Sequence, residues 1–189
     1  MQCVNEFKAM MKGALNVGVT PIEIKEIVYQ AVPYAGLGKV FDFLHAANDV
    51  LEERGISLPL EGQSTTSPKD RYEKGLDSVR EAAGDAVGQM LETMPDNQKH
   101  FAVFLADHCF GDHFTRGGLS IQERELLIFV MLLSMGGAEP QLKGHIKNNV
   151  RVGNDKQKMI DTLTILVPFI GYPRTLTALN CLNEMIPEP

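Results

Sequence analysis

The sequence has no tryptophan, and aromatic residues fill only 7 % of its 189 positions. A core built on large rings is excluded, and nine methionines point instead to aliphatic helix packing. Cysteine is scarce as well: Cys3, Cys109 and Cys181 form no short-spaced pair. Thiols this few and scattered exclude a disulfide framework and fit a reducing compartment. The longest apolar run, Leu126 to Leu133, falls far short of the roughly 20 residues a membrane span needs. The start, Met1-Gln2-Cys3-Val4-Asn5-Glu6, has no basic stretch leading into an apolar one, so a cytoplasmic protein is expected. Positive charge is also in deficit, with 18 Lys and Arg against 24 Asp and Glu, a formal charge of −6. That balance argues against a chain that grips a phosphate backbone, and neither a nucleic-acid nor a membrane partner is expected.

What the sequence does have is helix punctuation. Thr20-Pro21-Ile22-Glu23 is a capping box with proline at the first helical position, where a missing N–H costs nothing. Ser120-Ile121-Gln122-Glu123 reads the same way, as does Ser67-Pro68. Asn154 or Asp155 and Pro95 mark further starts, while Gly18, Gly36, Gly55, Gly136-Gly137, Gly153 and Gly171 mark stops. Between these marks the apolar residues recur at helical period, as Ile24, Ile27, Val28, Ala31 and Val32 do. The wholly apolar Leu126–Leu133 segment predicts a helix buried at the centre. No alternating run bounded by hairpin residues is found, so the expected fold class is all-α.

Sliding the chain on itself by 135 residues aligns Lys8 with Lys143, Lys12 with Lys147, Gly18 with Gly153, Val32-Pro33 with Val167-Pro168, and Gly36 with Gly171. An internal duplication of the C-terminal half is read from this register. Residues 68–189 form the complete unit, 57–67 a Ser/Thr/Pro/Gly-rich linker, and 1–56 a half unit that lacks its front. Such a half unit must bury its apolar stripes against the second block or against another chain.

Several segments together resemble the carboxymuconolactone decarboxylase family, whose relatives include alkylhydroperoxidase-type thiol enzymes. They are Arg71-Tyr72-Glu73-Lys74-Gly75-Leu76, Phe110-Gly111, Gly118 to Leu127, His145-Ile146-Lys147-Asn148-Asn149-Val150-Arg151-Val152-Gly153 and Val167 to Pro173. Met11 to Pro21 and Tyr34-Ala35-Gly36 repeat the later part. The resemblance implies an all-helical fold, a homo-oligomer here expected to form through the half repeat, and cofactor-free removal of CO₂ from a small carboxylated lactone or related oxo-acid. The thiol branch uses Cys-x-x-Cys-x-x-x-His, and counted back from His145 its cysteine positions hold Ala138 and Gln141. In the first copy Cys3 stands at the first of these positions, Glu6 at the second and Met10 at the histidine. A lone thiol cannot run a dithiol cycle, so peroxidase chemistry is not expected. The alternatives are an alkylhydroperoxidase-type antioxidant activity, disfavoured by the absent Cys-x-x-Cys, and a non-catalytic helical assembly module.

Decarboxylation leaves an electron pair on carbon, so its site needs anion stabilisation and a proton donor. His145, bordering the Leu142, Ile146, Val150 stripe, is the candidate donor; it equally suits a boundary histidine bonded to backbone. Glu125 has Ile128, Phe129 and Leu132 on its face, an unusual setting for a carboxylate unless paired or protonated. It is read as a proton shuttle or as the partner of His145, against a first-turn glutamate favoured by the helix dipole. Arg116, on a glycine-rich connector, suits a substrate carboxylate or a plain surface charge. Asp107, His108, Cys109, Asp112 and His113 contain two i, i+4 pairs that a continuous helix would project together, although Gly111 threatens that helix. These are read as structural, Lys147 and Arg151 as a solvated face, and no metal or cofactor is expected.

Overall fold

The computed structural model describes residues 3–187, and all regular structure among them is helical. The leading block holds α1 (Val4–Asn16), α2 (Pro21–Gln30), α3 (Val32–Ala35) and α4 (Leu37–Glu53). After a connector come α5 (Arg71–Ala83), α6 (Ala86–Thr93) and α7 (Lys99–Phe104), then a π-helical segment, Leu105–Phe114. The chain finishes with α8 (Ile121–Met135), α9 (Glu139–Arg151), α10 (Lys156–Ile170) and α11 (Tyr172–Met185). No described helix is long and apolar enough to cross a membrane.

Local chemistry explains the starts. The Thr20 and Ser120 hydroxyls accept from the N–H of Glu23 and Glu123, and each glutamate accepts from its cap's own N–H. The Asp155 carboxylate accepts from the Lys158 N–H at 2.8 Å. At Ser67 the expectation shifts: its N–H and hydroxyl both donate to Asp70 Oδ1, closing a turn, and the helix opens only at Arg71.

At the 135-residue offset the elements coincide. α1 falls on α9, α2 with α3 falls on α10, and the start of α4 falls on that of α11. Gly18 and Gly153 take φ of 96° and 94°, a left-handed conformation open to glycine but strained for side chains. Lys8–Asp49 and Lys143–Glu184 are matching ion pairs, each 2.6 Å.

Two hydrophobic cores form among the described residues. The larger gathers Val79, Phe110, Ile128, Phe129, Leu132, Ile146, Met159 and Leu182 around α8. A separate core in the leading block contains Met11, Ile24, Val28, Val40, Val50 and Leu51. The leading block therefore buries its stripes largely within itself, aided by Leu58 and Leu60 of the connector. That connector is docked along its length. Thr65 and Thr66 hydroxyls donate to the carbonyls of Thr115 and Gly111, and the Gly117 N–H donates to the Gln63 carbonyl.

The π segment lies against α5 at backbone contact distance. A Cβ on Gly75 would land on the Ala106 carbonyl oxygen, and one on Gly111 would land on that of Arg71. Gly75→Ala is therefore expected to destabilise the fold by about 2 kcal/mol or more, through overpacking against backbone that cannot swing away. Gly13→Ala, in a helix interior with nothing within 4 Å, should instead stabilise by about 0.5–1 kcal/mol. Urea unfolding of both variants against wild type checks the pair.

Candidate active site

α8 and α9 pack so that Glu125 meets His145. Glu125 is fully buried, and its Oε2 lies 2.7 Å from His145 Nδ1, the histidine side chain being 16 % exposed. A carboxylate at Nδ1 favours the tautomer with the proton there, which leaves Nε2 for external chemistry. No group among the described residues engages Nε2. Asn148 Nδ2 supports the carboxylate weakly, at 3.4 Å from Oε1.

A buried chain of amides fixes this geometry. Asn149 Nδ2 donates to the backbone carbonyls of Glu125 and His145 at 2.9 and 2.7 Å, tying the two helices together at the residues concerned. Its Oδ1 accepts from Asn154, which also donates to the Gln122 carbonyl and accepts from Lys158 Nζ. Because Asn149 and Asn154 are buried and bonded, their loss would strand polar backbone groups.

His145 opens onto a cleft of about 1060 Å³. Ala86, Met90, Phe101, Phe104 and Leu132 form an apolar wall, and Lys147 and Arg151 bring positive charge to it. Tyr34, from α3 of the leading block, reaches in with its ring edge-on to that of His145, centroids 5.9 Å apart. The Cys109 thiol donates to the Tyr34 hydroxyl oxygen at 3.7 Å. Burial, then the neighbouring Cys109, push the Tyr34 phenol well above its ordinary range. Burial likewise pushes the Cys109 thiol up to about 11. Both keep their protons at neutral pH, so Tyr34 is a hydrogen-bond donor and Cys109 is no thiolate nucleophile.

Of the three residues expected to form the site, the fold brings two together. Arg116 is elsewhere: its Nε and Nη2 grip the Glu26 carboxylate at 2.9–3.0 Å. Arg124, 1 % exposed, donates to the same carboxylate, to Gln30 Oε1 and to the carbonyls of Arg116 and Gly117. Arg116 thus joins the leading block to the rest and does not line the His145 cleft. The i, i+4 pairs of the Asp107–His113 stretch do not form, because the wider π turn aligns residues five apart. His108 and His113 rings meet edge-on with centroids 4.8 Å apart, while Asp112 and Asp107 pair with Arg71. No group of three His, Cys, Asp or Glu side chains among the described residues is arranged to hold a metal.

His113 carries a pH signature. Burial, then the nearby His108 and Arg116 charges, lower its pKa from 6.5 to about 4. The unfolded chain then binds the proton more readily, so the contribution is intact above about pH 6.5 and is lost as pH falls toward 4. Allowing for partial solvent screening, about 2 kcal/mol is expected to disappear across that window. Urea unfolding of His113→Phe from pH 7 to 4 should show a correspondingly shallower decline than wild type.

The sequence model of the carboxymuconolactone decarboxylase family matches residues 1–49 and 100–184, which include α8, α9 and both members of the Glu125–His145 pair. The chain belongs to the carboxymuconolactone decarboxylase family. A 4-carboxymuconolactone decarboxylase of Acinetobacter baylyi is 25 % identical over 121 residues, covering 64 % of this chain and 90 % of that protein. The family match also takes in the leading block that supplies Tyr34.

Proposed function

We propose that this family member decarboxylates a small carboxylated lactone, with His145 as proton donor and Glu125 as the group that orients and balances it. The observation that carries the reading is the 2.7 Å contact of a cleft-lining imidazole with a fully buried carboxylate. Membership of the family and likeness to a named decarboxylase support the reaction class.

The steps follow from the lining. Lys147 and Arg151 attract the anionic substrate. The departing carboxylate belongs on the apolar wall, where it is shed from water, since a tight ion pair would stabilise the ground state and oppose loss of CO₂. As that C–C bond breaks, its electron pair moves through the unsaturated ring onto the lactone carbonyl oxygen. The Tyr34 hydroxyl donates to that oxygen as charge develops. The imidazolium Nε2–H then protonates carbon at the far end of the conjugated system, and water restores the proton to His145. Atoms and charge balance: a carboxylate and one proton enter, and CO₂ and a C–H bond result.

The test is product analysis on the purified chain. With 4-carboxymuconolactone, stoichiometric CO₂ release is expected, and with an organic hydroperoxide plus dithiol no consumption above background. Hydroperoxide turnover without CO₂ release would reject the reading.

A further inference from the structure

A second cleft, of about 470 Å³, opens between the leading block, the connector and Arg116, and shares no lining residue with the His145 cleft. Its floor is basic. Lys25 is 8 % exposed, yet its ammonium hydrogen-bonds the neutral Asn48 amide oxygen, and no carboxylate among the described residues pairs with it. Burial pulls the Lys25 pKa below the ordinary lysine range, as expected for a cation removed from water without an acid beside it. Next to it, two guanidinium groups share the single Glu26 carboxylate, leaving one positive charge in excess. The Tyr29 ring takes both cations, Lys25 Nζ at 5.5 Å and Arg116 Cζ at 4.9 Å from its centroid.

The remaining lining selects the kind of anion. Ile22, Leu44, Leu58 and Leu60 supply an apolar side, while the acids Glu52 and Glu61 are exposed, where water screens them. A bare inorganic anion would leave that apolar side wet. A cleft of this volume suits a compact organic molecule held by one charged contact and apolar burial. Two N–H donors of Lys25, and the Asn48 amide N–H, remain without partners among the described residues.

We propose that this cleft is a binding site for a small monocarboxylate with an apolar body, its carboxylate on Lys25 and Asn48 and its body against Leu58 and Leu60. The site is separate from the one assigned to decarboxylation, and binding alone tests it. Octanoate is the probe, followed by isothermal titration calorimetry, with octanamide as the neutral control. Saturable one-to-one octanoate binding is expected, with none for octanamide. Lys25→Met and Leu60→Asp should each weaken it at least tenfold, the loss of a charge-assisted contact being worth about that factor. His145→Ala should leave it unchanged. Lys25→Met replaces an uncompensated buried charge with an apolar chain of similar length, so the variant should fold, as a thermal melt would verify. Absence of saturable binding, or affinity that survives Lys25→Met, would overturn the proposal. Binding lost in His145→Ala but kept in Lys25→Met would place the probe in the other cleft and equally overturn it.

Discussion

His145→Ala is expected to lower kcat for CO₂ release about 10³-fold while changing KM little. In the proposed reaction the imidazole delivers a proton in the transition state, and a positioned general acid is worth about 10²–10⁴ in rate. In the proposal substrate attraction is assigned to Lys147 and Arg151 and apolar contact to the Met90, Phe101 and Phe104 wall, cleft-lining residues that the change leaves untouched. Removal of a group that acts only in the transition state appears in kcat and in kcat/KM equally. Glu125→Gln should cost about 10²–10³ through a different route. Its amide can donate N–H to Nδ1, which keeps the imidazole neutral with its one proton on Nε2, and it removes the negative charge that balances the more acidic imidazolium. Because Glu125 Oε1 also meets Asn148, the glutamine has a partner on either side and the fold should survive. Steady-state kinetics on the two variants, with circular dichroism to show intact helices, separates these roles.

Glu26→Gln should produce the largest loss of stability, about 3–5 kcal/mol. Glu26 is 1 % exposed and is the carboxylate partner of both Arg116 and Arg124. Without it, two positive charges remain at a buried junction, and burial already pulls the Arg124 guanidinium below its ordinary pKa. Breaking one partner of a buried pair costs more than the pair contributes, because the other charge is stranded. The double variant Glu26→Met with Arg124→Met should recover a substantial part of the loss. Recovery stays incomplete, since Arg124 also holds the carbonyls of Arg116 and Gly117. Urea unfolding of the two single variants and the double variant measures the coupling.

Legibility in the sequence followed the range of each interaction. Capping boxes at Thr20 and Ser120 are local, so three-residue spacings revealed them. The pairing of Glu125 with His145 could be suspected because a carboxylate on an apolar face needs a partner. What fixes that pair was missed: Asn149 bonds the backbone of both residues, and nothing in its own neighbourhood of sequence says so. Glu26 lies 90 and 98 positions from its two arginines, and only their burial reveals the link. A signal did exist there, since Glu26 and Gln30 sit one helical turn apart on α2, in line with Ile22. The π segment escaped notice because its i, i+4 spacings imitate an ordinary helix, although Gly111 was a warning. Leu58 and Leu60 lie in a stretch of linker-like composition, yet both pack on the leading core. Tyr34 was placed in a repeated motif, but its entry into the His145 cleft depends on how the two blocks dock.

His145 Nε2 is proposed to hand a proton to substrate carbon from one side of the cleft. Running wild type on 4-carboxymuconolactone in D₂O, with rapid quenching and NMR of the product, tests it most directly. One deuterium per product molecule is expected, placed on a single face of the carbon that gains it, and residual His145→Ala turnover should label both faces. Equal labelling of both faces by wild type, or unchanged facial selectivity in His145→Ala, would contradict it.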